Sequence, residues 1–240
     1  MPPEAYVFFD VDDTLIHWRA SWREAFARAA QEAGAEVHPA QAEQALTTAF
    51  YTFYGDYLRK HAPLGDERAF WLDYNERIFT SLGVAPKANA TWAAKRAAEL
   101  LARPDSIALF PEVPGVLRRL AQSGVRLGII TTRPRAAPDL ETLGVLGYFE
   151  AVFDGLSTGD VKRVGSPQFA RAAEIVAAAQ AVGWHVGDSY EDDVLGARAA
   201  GLRAVLVDRR GACRETDCQR LESLEPLPDL IGARLTEVER

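Results

Sequence analysis

Short, largely apolar runs punctuate the chain at residues 6–9, Val125–Ile130, Ala151–Phe153, Val182–Val186 and Ala204–Val207. A brief apolar run that ends in charge or hydroxyls reads as a strand buried in a parallel sheet. Apolar residues recur at helical spacing over Val113–Gln122, Asp139–Leu146, Pro167–Gln180 and Asp192–Ala200. Strands alternating with helices predict βαβ crossovers, hence an α/β fold built on a doubly wound parallel sheet.

Residues 17–105 break that rhythm. Ser21–Ala33, Pro39–Tyr54, Glu67–Leu82 and Asn89–Leu101 all follow the helical period, and Gly34, Gly65 and Gly83 fall near helix ends, where a left-handed cap favours glycine. No strand pattern interrupts them. The organisation predicted is an α/β core of residues 1–16 and 106–240 with an all-helical domain, 17–105, inserted after the first strand. Pro104 to Pro114 reads as the return hinge. Trp18, Trp22, Trp71 and Trp92 are expected to pack the core of the helical domain.

Composition narrows the picture. With 48% hydrophobic and 25% charged residues over 240 positions, extensive disorder is excluded. No apolar run reaches membrane-spanning length, and none at the N-terminus precedes a cleavage-like site, so the cytoplasm is the expected location. The balance of 27 basic against 34 acidic residues, net −7, argues against nucleic acid or an anionic membrane as partner. Charge and composition leave monomer and small homo-oligomer equally open. Cys213 and Cys218 make neither a disulfide framework nor a complete zinc site and read as a surface loop.

The acids are placed where chemistry is expected. Asp10, Asp12 and Asp13 follow the first strand, at the sheet edge where α/β folds bind ligands. Three carboxylates so close repel one another unless a hard cation or donors compensate; an Asx-rich turn capping a helix is the bland alternative. A second group, Asp188 to Asp193, follows the strand through Trp184. Helix-start electrostatics account for Asp192 and Asp193 but not for Asp188. Thr131, Thr132 and Arg133 end another strand, as anion-binding groups or as helix caps.

In this order the segments resemble the haloacid dehalogenase (HAD) superfamily. Asp10-Val-Asp12-Asp13-Thr14-Leu15 matches its first motif, Thr131 its second, and Gly187-Asp188-Ser189 with Asp193 its fourth. The likeness runs from residue 6 to about 210. It implies a Rossmannoid core with a helical C1 cap, similar to the subgroup containing phosphoglycolate phosphatases and the REG-2-like hydrolases. The third motif departs. It normally places a lysine before proline, whereas this chain reads Gly159-Asp-Val-Lys162-Arg163-Val-Gly-Ser-Pro167-Gln-Phe169. Lys162 is the lysine available, since the others are Lys60, Lys87 and Lys95; a register set on Phe169 puts Arg163 in the role instead.

The resemblance implies a Mg²⁺-dependent phosphatase acting on a small phosphomonoester through an aspartyl-phosphate. Asp10 would be the nucleophile and Asp12 the general acid and base. Thr131 and Lys162 would bind phosphoryl oxygens. The metal would lie on the Asp10 side chain, the Asp12 backbone carbonyl and Asp188, with Asp193 orienting Lys162 or a metal-bound water. Asp13 and Ser189 are helix-start or second-layer groups. Thr132 and Arg133 are candidates for substrate contact, although solvated surface is the expectation for Arg133 and Arg135. His17 is placed at the cap junction, and His38 and His61 at exposed loops or helix ends. The alternatives are a 2-haloacid dehalogenase, a phosphonate hydrolase, a receiver domain, or an impaired binding protein on this scaffold. Asp12 favours phosphoryl chemistry over dehalogenation, and the length with its helical insert disfavours a receiver domain.

Overall fold

The computed structural model describes residues 4–101, 106–215 and 217–238; the start of the expected hinge, Pro104, lies outside them. The chain begins with β1 (Ala5–Phe9) and β2 (Ile16–Trp18), followed by helices α1 (Trp22–Glu32), α2 (Pro39–His61), α3 (Glu67–Ser81) and α4 (Lys87–Leu101). It continues through β3 (Ile107–Leu109), α5 (Val113–Gln122), β4 (Arg126–Ile130), α6 (Ala137–Thr142), β5 (Phe149–Phe153) and α7 (Gly155–Thr158). The last part holds α8 (Pro167–Ala178), β6 (Val182–Gly187), a π-helical turn Tyr190–Leu195, α9 (Gly196–Ala199), β7 (Arg203–Val207), β8 (Gln219–Leu221) and α10 (Leu227–Val238). Two compact units result: Met1–His17 with Leu109–Arg240, and Trp18–Ala108.

The first unit is a six-stranded sheet in the order β5-β4-β1-β6-β7-β8, with every neighbouring pair parallel. Each residue of β1 is buried, as befits a central strand covered on both faces. Phe9 lies opposite Ile129 of β4 and Val186 of β6, so the residues that follow these three strands emerge side by side at one edge. Beneath that edge Phe8 packs with Tyr6, Ile130, Phe169 and Ala172, and burying each such phenylalanine contributes about 1.5–3 kcal/mol. Gly128 makes room for it: a Cβ there would stand 2.6 Å from the Phe8 ring. β8 was not visible in the periodicity, because Gln-Arg-Leu presents no apolar run; it pairs with β7 from Val205 to Val207. β2 and β3 pair as a separate two-stranded sheet. Among the described residues no helix is long and apolar enough to cross a membrane.

The second unit is helical throughout its long elements. Ser21 and Asp66 cap α1 and α3 by accepting from the backbone N–H of Glu24 and Ala69, and Pro39 opens α2 at a position that needs no N–H donor. Its core is Phe26, Leu58, Phe70, Ile78 and Phe79 against alanines such as Ala29, Ala93 and Ala97; those alanines let the helices approach closely. Trp22 stacks on Phe26 and meets Trp71, Trp71 meets Phe70, and Trp18 meets Trp22, so these three half-buried tryptophans pack against that core as expected. Trp92 departs from the expectation and is exposed. His61 also departs from expectation: it ends α2 but is buried, with Nε2 3.0 Å from Asp73 Oδ2.

Candidate active site

Three strand ends build the site. Asp10 follows β1, and its backbone N–H donates to Val186 O at 2.9 Å, extending the β1–β6 ladder by one bond. Thr131 follows β4 and is tied to β5 through Phe153 O at 3.0 Å. Asp188 follows β6. The loop between α7 and α8 brings in Lys162, whose ammonium donates to Asp10 Oδ1 at 2.6 Å and to Asp193 Oδ1. Lys162, Asp10 and Asp193 are all buried.

Asp193 does not sit on a regular helix, as its sequence context suggested. Val194 N–H reaches back to Ser189 O at 3.2 Å, a five-residue span that inserts one residue into the turn. Such π-turns occur often at functional sites. Here the turn drives the Asp193 carboxylate beneath Gly187, where a Cβ would lie 2.1 Å from its carboxyl carbon; only glycine fits. Oδ1 also accepts from His185 Nε2 at 2.6 Å, and Oδ2 from Ser189 N–H at 2.9 Å. Ser189 additionally caps the turn through Asp192 N–H.

The charges oppose one another strongly. Burial raises the Asp10 carboxyl well above the ordinary range; Asp193 and Asp188 add to this, and Lys162 only partly offsets it. Burial alone would raise Asp193 too, but Lys162 and His185 overturn that and hold it well below the usual carboxylate value. Burial disfavours the Lys162 charge, yet Asp10 and Asp193 raise its pKa above that of a free lysine. His185 is pushed down by burial, so a neutral imidazole orients Asp193 by donating from Nε2.

Asp188 keeps exposed surface, while the packing of its carboxyl against the site wall, and then the Asp193 charge, push it up to about 7. Unfolded aspartates titrate near ~3.9, so the contribution of Asp188 to the stability of the metal-free protein is fully present below about pH 4 and is lost as pH rises through about 7. Asp188→Asn should remove its share, about 1 kcal/mol after solvent screening. That corresponds to a Tm roughly 2–4 °C higher than wild type at alkaline pH, with no difference at the acid end. Thermal melts in EDTA at both extremes check this, and a variant that melts lower at alkaline pH overturns it.

The acids of the first cluster separate. Only Asp10 joins Asp188 and Asp193, whose oxygens with its own lie within 4.8 Å of one another. Asp13 adopts a left-handed φ of 54° and faces Arg210 at 3.6 Å. Asp12 turns to Arg133, whose Nη1 donates to its Oδ1 at 2.5 Å. The Arg133 side chain is 9% exposed, not the solvated surface expected of it; Arg135 is exposed. Thr132 Oγ1 accepts from Lys162 N–H at 3.0 Å, and Gln168 Nε2 donates to Asp160 O at 2.6 Å; both fasten the lysine loop. Arg163 lies outward, 56% exposed beside Asp160. Thr131 is buried, with Oγ1 accepting from Arg133 N–H. His17 stands 5.0 Å from the Phe110 ring. Cys213 and Cys218 are free and half-buried.

An all-oxygen donor set this compact suits a hard cation such as Mg²⁺, and a cation would favour the charged forms of Asp10 and Asp188 that burial, and then their neighbours' charge, disfavours. The residues present therefore fit a metal. Asp193 already accepts from Lys162, His185 and Ser189, which leaves Asp10 and Asp188 as its side-chain holders.

Sequence reasoning missed the partners of these groups. His185 lies on the strand just before the Gly187-Asp188-Ser189 motif, where nothing local signals a role, Gln168 carries no signal, and Asp139, which also accepts from Arg133, lies on a helix of ordinary composition.

A parallel sheet of this order, with acids after β1 and β6 and a lysine brought between them, is of the doubly wound α/β class with its polar groups gathered at one sheet edge. The chain belongs to the haloacid dehalogenase-like hydrolases, whose family model matches residues 5–201. It is 28% identical over 237 residues to haloacid dehalogenase-like hydrolase domain-containing protein 3 of Danio rerio, covering 94% of this chain and 96% of that one. It is 33% identical over 168 residues to a plasmid phosphoglycolate phosphatase of Cupriavidus necator, covering 65% and 70%. The 2-haloacid dehalogenase of Pseudomonas syringae superposes with a TM-score of 0.63 at 24% identity, over 96% of this chain and 99% of that one.

Proposed function

We propose that the protein is a Mg²⁺-dependent phosphatase that hydrolyses a small phosphomonoester in the cytoplasm. The observation that carries this reading is the Lys162 ammonium shared between the buried Asp10 and Asp193 carboxylates, with a second acid, Asp12, two residues beyond the first. A carboxylate nucleophile against a dianionic phosphate needs cationic neutralisation, and a fixed ammonium beside it supplies part of that. The likeness to the Cupriavidus necator phosphatase supports the same class.

An Asp10 oxygen attacks phosphorus as the bond to the ester oxygen breaks, and Asp12 gives its proton to the departing oxygen. Asp12 then takes a proton from water. That water attacks the aspartyl-phosphate, the phosphorus–Asp10 bond breaks, and inorganic phosphate leaves. Lys162 and the Thr131 hydroxyl hold the non-bridging oxygens, while His185 keeps Asp193, and with it Lys162, in place. A divalent cation bound by Asp10, Asp188 and the Asp12 carbonyl would supply charge neutralisation between phosphate and nucleophile. The helical unit is assigned the role of a cap that selects the leaving group. Likeness to the Pseudomonas syringae enzyme carries the fold alone, and an acid at position 12 serves proton transfer to an ester oxygen rather than loss of halide.

Hydrolysis of p-nitrophenyl phosphate tests the reading. Turnover is expected with Mg²⁺ and is expected to fall about 100-fold or more in EDTA. Chloride release from 2-chloroacids, with no phosphate release from any ester, would overturn it.

A further inference from the structure

Arg133 joins two carboxylates from distant parts of the chain. Its Nε and Nη2 grip Asp139 Oδ2 at 2.9 and 2.8 Å, and its Nη1 reaches Asp12 Oδ1, 121 residues away. Three of the five N–H donors of a guanidinium thus point at carboxylates of the chain itself. Asp12 has a 41% exposed side chain on a short loop after β1. A rigid fork anchored from behind on α6 sets the rotation of its carboxyl group: holding Oδ1 fixes the carboxyl plane and aims Oδ2.

We propose that Arg133, braced by Asp139, is the positioning residue that aims the Asp12 carboxyl at the leaving-group oxygen, so that this triad decides how poor a leaving group the protein can expel. The inference rests on the phosphatase reading above and deepens it. Arg133 is not a substrate anchor in this account, because all three of its nitrogens already donate to Asp12 or Asp139. A mere staple between β1 and α6 would slow all esters alike. An aiming role slows those that need a proton.

Phenyl and p-nitrophenyl phosphate differ little in shape but greatly in how much protonation their departure requires. The quantity to compare is kcat/KM, which reports steps up to departure of the alcohol. In Arg133→Met it is expected to fall about 30-fold for phenyl phosphate and only about 3-fold for p-nitrophenyl phosphate. Arg133→Lys, which keeps the charge but not the fork, should lie between Met and wild type for phenyl phosphate. Asp139→Asn, which preserves shape and loosens the brace, should show the same selective loss at smaller size. Equal loss on both esters overturns the proposal, as does a rise in KM alone, which would place Arg133 on the substrate. A wild-type protein that hydrolyses neither ester overturns the phosphatase reading and this inference together. Wild-type turnover without leaving-group selectivity in the variants overturns this inference only.

Discussion

Asp10→Asn is expected to lower turnover of p-nitrophenyl phosphate by about 10⁴-fold or more. Asparagine has the volume of aspartate and keeps an oxygen for the Lys162 ammonium, which donates to Asp10 Oδ1 at 2.6 Å, so the β1 edge and the packing under Phe8 stay as they are. What disappears is the negative charge that attacks phosphorus. Because the buried Asp10 carboxyl is held well above its ordinary pKa, the neutral variant should unfold at no lower temperature than wild type. Inactivity together with unimpaired stability is the signature of a reacting group rather than a structural one. The check is steady-state kinetics beside thermal unfolding in metal-free buffer. A variant that retains more than about a tenth of wild-type turnover would remove Asp10 from the nucleophile's role, since loss of a reacting group costs orders of magnitude.

Removing the cation should do the opposite to stability. Lys162→Met is expected to destabilise the fold by about 3–5 kcal/mol, the usual cost of leaving buried charges without their partner, since Asp10 and Asp193 both depend on that ammonium. Turnover should fall with it. Arg163→Met should change stability by less than about 1 kcal/mol, because Arg163 is 56% exposed and pairs with the nearby Asp160 at 3.2 Å. Urea unfolding of the two variants decides which residue serves the third motif. Adding Asp193→Asn to Lys162→Met should recover part of the loss, because the pair is coupled; additive losses would break the proposed link. If Arg163→Met proves the damaging change, the register set on Phe169 is the right one.

The sequence by itself determined the parts whose physics is local. An apolar run such as 6–9 can only be buried, and acids directly after it can only emerge at the strand's end, so Asp10 and Asp188 were legible as edge residues. The helical period and the glycines at 34, 65 and 83 likewise marked the helical unit, because amphipathic spacing and left-handed caps are written within a few residues of one another. Tertiary structure alone decided which side chains meet. Lys162 reaches Asp10 across 152 residues and Asp193 across 31, and Arg133 reaches Asp12 across 121. Those pairings follow from the strand order, with β1 between β4 and β6, and no window of sequence contains that order. The same holds for the π-turn that aims Asp193 and for the dispersal of Asp12 and Asp13 to arginines. Each depends on the space and charge that distant segments bring to one sheet edge, whereas periodicity records only which residues must leave water, not what they find when they do.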